Sequence, residues 1–264
     1  MTVRDALNRA ELREAINLAG ATVRDHPLDH DARFTLVDLL GFAGDWSRAA
    51  KQLDALAGLP EVDLYRRLVQ AGRERAEVFA TGERPPSWLI EPPSWAGQHL
   101  AGCDRLRRGD HAGARAEFDA VESAVGPILG TVGGVGLDGF RDLDDRLGPI
   151  LELVVADGYH WVAWEDVRFL DVSPPETLRD LLWAPARLAL AQGPIGWVHV
   201  PTIYPGSEAT EGELQLGRAT NWHDAGSNLA VGLGLKMALA GERSLGLFEI
   251  RELQFVPPAG SPVG

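Results

Sequence analysis

Two stretches, GDWSRAAKQLDAL at 44–56 and GDHAGARAEFDAV at 109–121, share the form G-D-x-x-x-A-x-x-x-[LF]-x-x-[LV]. Each reads as a tight turn followed by a helix whose apolar residues recur at helical spacing. Glycine permits the turn, and the alanine lets a second helix lie close. The segments before the turns agree: Leu36, Val37 and Leu40 recur helically, and Gly102 occupies a position that needs a small residue.

This is the pattern of the turn and second helix of a tetratricopeptide (TPR) repeat, whose period is about 34 residues. The two turns lie 65 residues apart, so one degenerate unit is expected between them, with 61–81 as its long first helix. Ala15, Ala19 and Pro27 suggest a further half-unit at the N-terminus. Pro85, Pro86, Pro92 and Pro93 then form a rigid connector carrying Trp88 and Trp95. Residues 126–139 hold six glycines and read as an interdomain loop.

Beyond that loop the apolar period shortens toward two. Short strands are expected at 150–157, 160–164, 167–172, 186–191, 196–204 and 244–250, separated by Pro- and Gly-containing turns with no long helix between them. That favours antiparallel pairing over a parallel α/β sheet. The expected fold is α+β: an N-terminal TPR-like α-helical domain at 1–126, a small antiparallel β-barrel-like domain at 127–256, and a disordered tail at 257–264.

Composition narrows the function. The net charge is -13, and the C-terminal half is the more acidic, with nine basic against eighteen acidic residues after position 125. Binding to a phosphate backbone or an anionic lipid surface is therefore disfavoured. The single cysteine, Cys103, excludes an internal disulfide and multi-cysteine zinc sites. The N-terminus has no signal-peptide pattern, and the longest charge-free run, 188–207, is broken by prolines and glycines. A soluble cytoplasmic protein is expected.

Several motifs invite chemistry. Gly134, Gly136 and Gly139 make a literal G-x-G-x-x-G, but a helix precedes it where a dinucleotide site needs a strand, so a hinge is the better reading. Asp142, Asp144 and Asp145 lie between Arg141 and Arg146, which suits local ion pairs and turn caps. The alternative is a metal-assisted hydrolase that combines them with His160 or His199. No histidine spacing matches a known metal motif. His223, Asp224 and Ser227 supply triad residue types without a nucleophile elbow. Arg105, Arg107 and Arg108 could lower the Cys103 pKa, although packing is the simpler role for a helical cysteine. Of Trp161, Trp164, Trp183, Trp197 and Trp222, most should fill the core of the β region, leaving one or two for a partner groove.

The order FRDLDDRLGPILE, YHWVAWEDV, RDLLWAPARL, GWVHVPTIYPGS, LGRATNW, GLGLKMALAGE and LFEIRELQF, over roughly 138–255, resembles the ImpE/TagJ (SciE-type) family of type VI secretion accessory proteins. The helical repeats before it agree with the family's N-terminal half. Asn221 departs from the aspartate expected before the tryptophan, and 207–213 looks like a variable loop. The resemblance implies a cytoplasmic, non-catalytic adaptor without a cofactor. It implies binding to the small subunit of the contractile sheath and a link to the ClpV-type AAA+ ATPase that disassembles the sheath.

Repeat geometry independently suggests where a partner helix could lie. It puts Asp31, Phe34, Asp38 and Phe42 near a groove face, along with His99, Cys103 and Leu106. Tyr65 and Val69 join from the intervening helix, and Phe34 and Phe42 are the preferred anchors. A general TPR-type scaffold outside secretion is a third reading.

Overall fold

A computed structural model of the chain describes residues 1–191 and 193–256, without the side chains of 194 and 195. The tail expected to be disordered, 257–264, lies outside the described residues. Seven helices come first: α1 (Val3–Asn8), α2 (Leu12–Asp25), α3 (His30–Phe42), α4 (Trp46–Asp54), α5 (Val62–Ala80), α6 (Ala96–Arg107) and α7 (His111–Val125).

The repeated G-D motif has a local cause. Gly44 and Gly109 adopt φ of +66° and +78°, a region that costs other residues strain. The following aspartate caps the next helix: the Asp45 carboxylate accepts from the Arg48 N–H, and that of Asp110 from the Gly113 N–H. Ala49 and Ala114 are fully buried where the paired helices meet. A Cβ on Gly102 would come within 2.6 Å of the Phe118 ring, so α6 and α7 approach closely only because that position is bare.

The intervening unit has its long first helix, α5, but no second one. The proline connector runs in its place, and Ser87 to Leu89 lie along a strand of the β region: the Trp161 N–H donates to the Ser87 carbonyl and the Leu89 N–H to that of Trp161. The helices therefore form a hairpin array through α5 and then a separate α6–α7 hairpin.

The β region has β1 (Leu129–Val132), β2 (Val135–Asp138), β3 (Phe140–Asp142), β4 (Ile150–Val155), β5 (Gly158–Ala163), β6 (Val167–Val172), β7 (Trp183–Leu190) and β8 (Gly193–Pro201), then a short α8 (Gly212–Gln215). It continues with β9 (Thr220–Asp224), β10 (Ala230–Gly234), β11 (Met237–Ala240), β12 (Arg243–Gly246) and β13 (Leu253–Phe255). Pairing among these strands is antiparallel throughout.

The strands do not close into a barrel among the described residues. An eight-stranded sheet in the order β2-β1-β13-β6-β7-β8-β4-β5 faces a three-stranded sheet, β12-β11-β3, with Leu151, Leu170, Leu188, Ala238 and Leu245 among the residues in the core between them. The stretch read as a glycine-rich loop is in fact the β1–β2 hairpin. Its glycines serve the turn, where Gly133 and Gly134 both have positive φ.

A second core joins the two halves. The outer face of β4 and β5 packs on α5, α6 and α7 through Ile150, Val154, Trp161, Leu68 and Val121. Both faces of β4 are thus buried, which explains why ILELVV is apolar at every position but one.

Candidate functional site

The aspartate cluster is structural. Asp142 Oδ1 accepts from the Tyr204 hydroxyl at 2.8 Å and from the Asp144 N–H at 2.8 Å. Asp144 takes a bidentate fork from Arg146, 2.6 Å at its closest, and the Gly232 N–H at 2.8 Å. Asp145 accepts from Arg141 at 2.6 Å, from Arg115 at 3.3 Å and from the Ala230 N–H at 2.8 Å. Burial raises the Asp142 carboxyl to about 7. Asp144 and Asp145 pin the start of the β region to β10, and Asp142 ties it to Tyr204.

Neither histidine proposed for the hydrolase joins them. His160 pairs with Asp157 at 3.0 Å, and His199 lies on β8 opposite Val154 of β4 and Pro185 of β7. No group of three His, Cys, Asp or Glu side chains is arranged to hold a metal ion among the described residues.

A second charged cluster lies where the halves meet. Glu152 of β4 is fully buried and accepts from Arg75 of α5 at 2.6 and 2.9 Å, from the Tyr159 hydroxyl at 2.5 Å and from the Lys236 ammonium. The Trp161 indole N–H donates in turn to the Tyr159 oxygen at 2.6 Å. Burial by itself pushes the Glu152 carboxyl up, but Arg75 and Lys236 outweigh it and hold it at about 2. Arg75 also donates to the Ile203 carbonyl at 2.9 Å, so one side chain ties α5 to two parts of the β region.

The residues expected to line a groove divide into two groups. Asp31, Phe34, Asp38 and Tyr65 converge on one open cleft of about 490 Å³, whose far wall is Thr177, Leu178 and Arg179 from the β region. The Phe34 and Tyr65 rings lie 4.6 Å apart, and the Arg179 guanidinium sits 5.5 Å over the Tyr65 ring. The Tyr65 hydroxyl donates to Asp38 at 3.4 Å. Burial raises the Asp38 carboxyl to about 8, so it is mostly uncharged at neutral pH. Asp180 shapes the far wall by accepting from the Glu176 and Thr177 N–H groups.

Phe42 and Val69 do not line that cleft. Phe42 is 2% exposed and packs in the helical core with Val69. The physical reason is that α3 is buried from Leu36 to Phe42, packed among its helical neighbours and Leu178, Leu181 and Leu182. His99, Cys103 and Leu106 belong to the separate α6–α7 hairpin. His99 is buried, with Phe118, Trp95 and Trp161 around its ring. Leu106 packs against the small core around Phe118 that also holds Cys103. Burial, not the neighbouring arginines, controls Cys103 and pushes its thiol up to about 12.

Trp164 is buried in the core between the two sheets and Trp161 and Trp183 in the core shared with the helices, while Trp197 is 65% and Trp222 37% exposed. The segment read as a variable loop contains buried Ser207, which donates to the Tyr204 carbonyl at 2.7 Å and accepts from the Gly234 N–H. Arg75 and Lys236 belong to no catalytic or binding motif in the sequence. The available signal was a lone charge inside an apolar run, as in GLGLKMALA and ILELVV, since a buried charge requires a partner.

No helix of the described residues is long and apolar enough to cross a membrane. A family model described as ImpE protein matches residues 134–254. The type VI secretion system accessory component TagJ of Pseudomonas aeruginosa PAO1 is 34% identical over 263 residues, spanning 97% of this chain and 92% of that protein. The crystal structure of protein VPA1032 from Vibrio parahaemolyticus covers 97% of this chain and 98% of its own, with 25% identity and a TM-score of 0.88.

Proposed function

The chain belongs to the ImpE family, and we propose that it serves a bacterial type VI secretion system as a non-catalytic adaptor. The accessory role rests on the 34% identity to TagJ, which runs through both the helical and the β half. In this reading residues 1–126 supply the docking surface and residues 127–256 brace it. The partner is the N-terminal region of the small sheath subunit, and the ClpV-type AAA+ ATPase is the second expected contact.

The observation that supports the docking surface is the cleft formed by Asp31, Phe34, Asp38 and Tyr65 against Arg179. It offers aromatic faces beside two carboxyls and one guanidinium, a setting in which an amphipathic helix can bury an apolar anchor. Phe34 is the anchor on this side, because Phe42 is taken up by the core.

Calorimetric titration with a peptide of the sheath subunit's N-terminal region tests both levels. Saturable one-to-one binding is expected, weakened about tenfold or more by Phe34→Ala, in keeping with an interface hot spot. Unchanged affinity in Phe34→Ala removes the cleft. Absence of binding at several hundred micromolar removes the sheath-subunit assignment.

A further inference from the structure

The docking cleft asks for more than an apolar anchor. Asp31, Phe34 and Asp38 lie at three- and four-residue spacing on one face of α3. The aromatic ring therefore has a carboxyl about one turn away on either side. Asp38 is only 8% exposed and yet lines the cleft. Its Oδ2 has a single long bond, the 3.4 Å contact from the Tyr65 hydroxyl. Its Oδ1 accepts no hydrogen bond among the described residues and is not sealed from solvent. A buried carboxyl with spare acceptor capacity calls for a donor.

The groups around Asp38 decide the charge of that donor. His30 and Asp31 line the cleft from α3, Glu61 and Tyr65 from the start of α5, and Arg179 from the far wall. The Arg179 guanidinium is already engaged by Asp180, at 3.1 and 3.3 Å. The carboxyls of Asp31, Asp38 and Glu61 thus outweigh the cations of the lining, which favours a positive group and disfavours a negative one.

We propose that the segment docking in this cleft carries a lysine or arginine three or four positions from its apolar anchor, and that this side chain donates to Asp38 Oδ1 while the anchor packs on Phe34 and Tyr65. The inference rests on the adaptor reading and adds to it the chemistry of the partner. Binding is then coupled to a proton. Burial raises the Asp38 carboxyl to about 8, whereas an arriving cation favours its charged form. Docking at neutral pH should release close to one proton. Affinity should rise with pH, by at most about tenfold per unit, and level off above about 8.

The test is calorimetric titration of the whole protein with a peptide of the sheath subunit's N-terminal region, and with versions in which each lysine or arginine is replaced in turn by glutamine. One replacement should weaken binding to the parent about tenfold. The same replacement should matter less than about twofold to Asp38→Asn, because both substitutions remove one contact. Titrations in phosphate and in Tris, which differ in ionisation enthalpy, should reveal a proton released by the parent and none by Asp38→Asn.

Two kinds of failure are separable. No binding of the unaltered peptide, or binding indifferent to Phe34→Ala, overturns the cleft and this inference with it. Binding that depends on Phe34 but couples no basic residue to Asp38, or releases no proton, overturns the cation alone.

Discussion

Replacing Glu152 by glutamine removes one charge and almost no volume, and it should be among the most destabilising conservative changes in the molecule. At an effective dielectric of about 20, each cation at roughly 4 Å contributes about 4 kcal/mol of attraction. Desolvation of Glu152, Arg75 and Lys236 offsets most of that gain. In Glu152→Gln the attraction disappears while Arg75 and Lys236 stay buried, and in either orientation the new amide N–H₂ faces Arg75, which can only donate. The expected loss is about 3–5 kcal/mol, a large share of a typical stability of about 5–15 kcal/mol.

The partner variant Lys236→Met behaves differently. It leaves Glu152 with its bidentate Arg75 fork, a neutral pair, and should cost about 1 kcal/mol or less. Equilibrium urea unfolding followed by tryptophan fluorescence measures both, read as a shift in midpoint at constant slope. A Glu152→Gln protein within about 1 kcal/mol of the parent, or a Lys236→Met protein equally damaged, would refute this account of the cluster. Because the Glu152 carboxyl is held below its ordinary value, at about 2, its contribution is fully present above the usual glutamate range. It declines progressively as pH falls below that range and is gone once pH is below about 2.

Two further outcomes follow from burial and packing. Gly72→Ala would put a Cβ 2.6 Å from the Trp46 ring and should cost about 1–3 kcal/mol by overpacking. Gly97→Ala on α6 meets nothing within 4 Å and should be neutral or stabilising by up to about 1 kcal/mol; thermal unfolding of the pair gives the comparison. Asp38, raised to about 8 by burial, favours the protonated folded state, so its contribution declines as pH rises from its ordinary range toward 8. Asp38→Asn should therefore gain on the parent by up to about 1.4 kcal/mol per pH unit across that window, and a pH-independent difference between the two proteins counts against it.

What could be read from the sequence was whatever short-range chemistry decides. The G-D motif fixed two helix pairs because a positive-φ glycine and a capping aspartate act within four residues. The aspartates between Arg141 and Arg146 announced their ion pairs for the same reason. Features set by distant chain were not legible. A continuous groove through His99 and Leu106 requires α6 to stack on α5, yet α5 packs on β4 and β5, which nothing local to either helix encodes. Phe42 looked free because its buried surroundings include Leu182, 140 positions further along the chain. The β1–β2 hairpin hid behind its glycines, whose composition reads equally as a linker.

The pairing of Ser87 and Leu89 with Trp161 has a consequence for how the chain can be divided and made. A sheet edge with free N–H and carbonyl groups is a template for self-association, and β5 is such an edge until the connector from the helical half lies along it. A fragment beginning at 127 would expose that edge together with Ile150, Val154 and Trp161 on the face that the helices cover. It should aggregate when produced alone. During synthesis the helical half emerges first, with Arg75 lacking its carboxylate until β4 arrives, so the two halves complete their folding together.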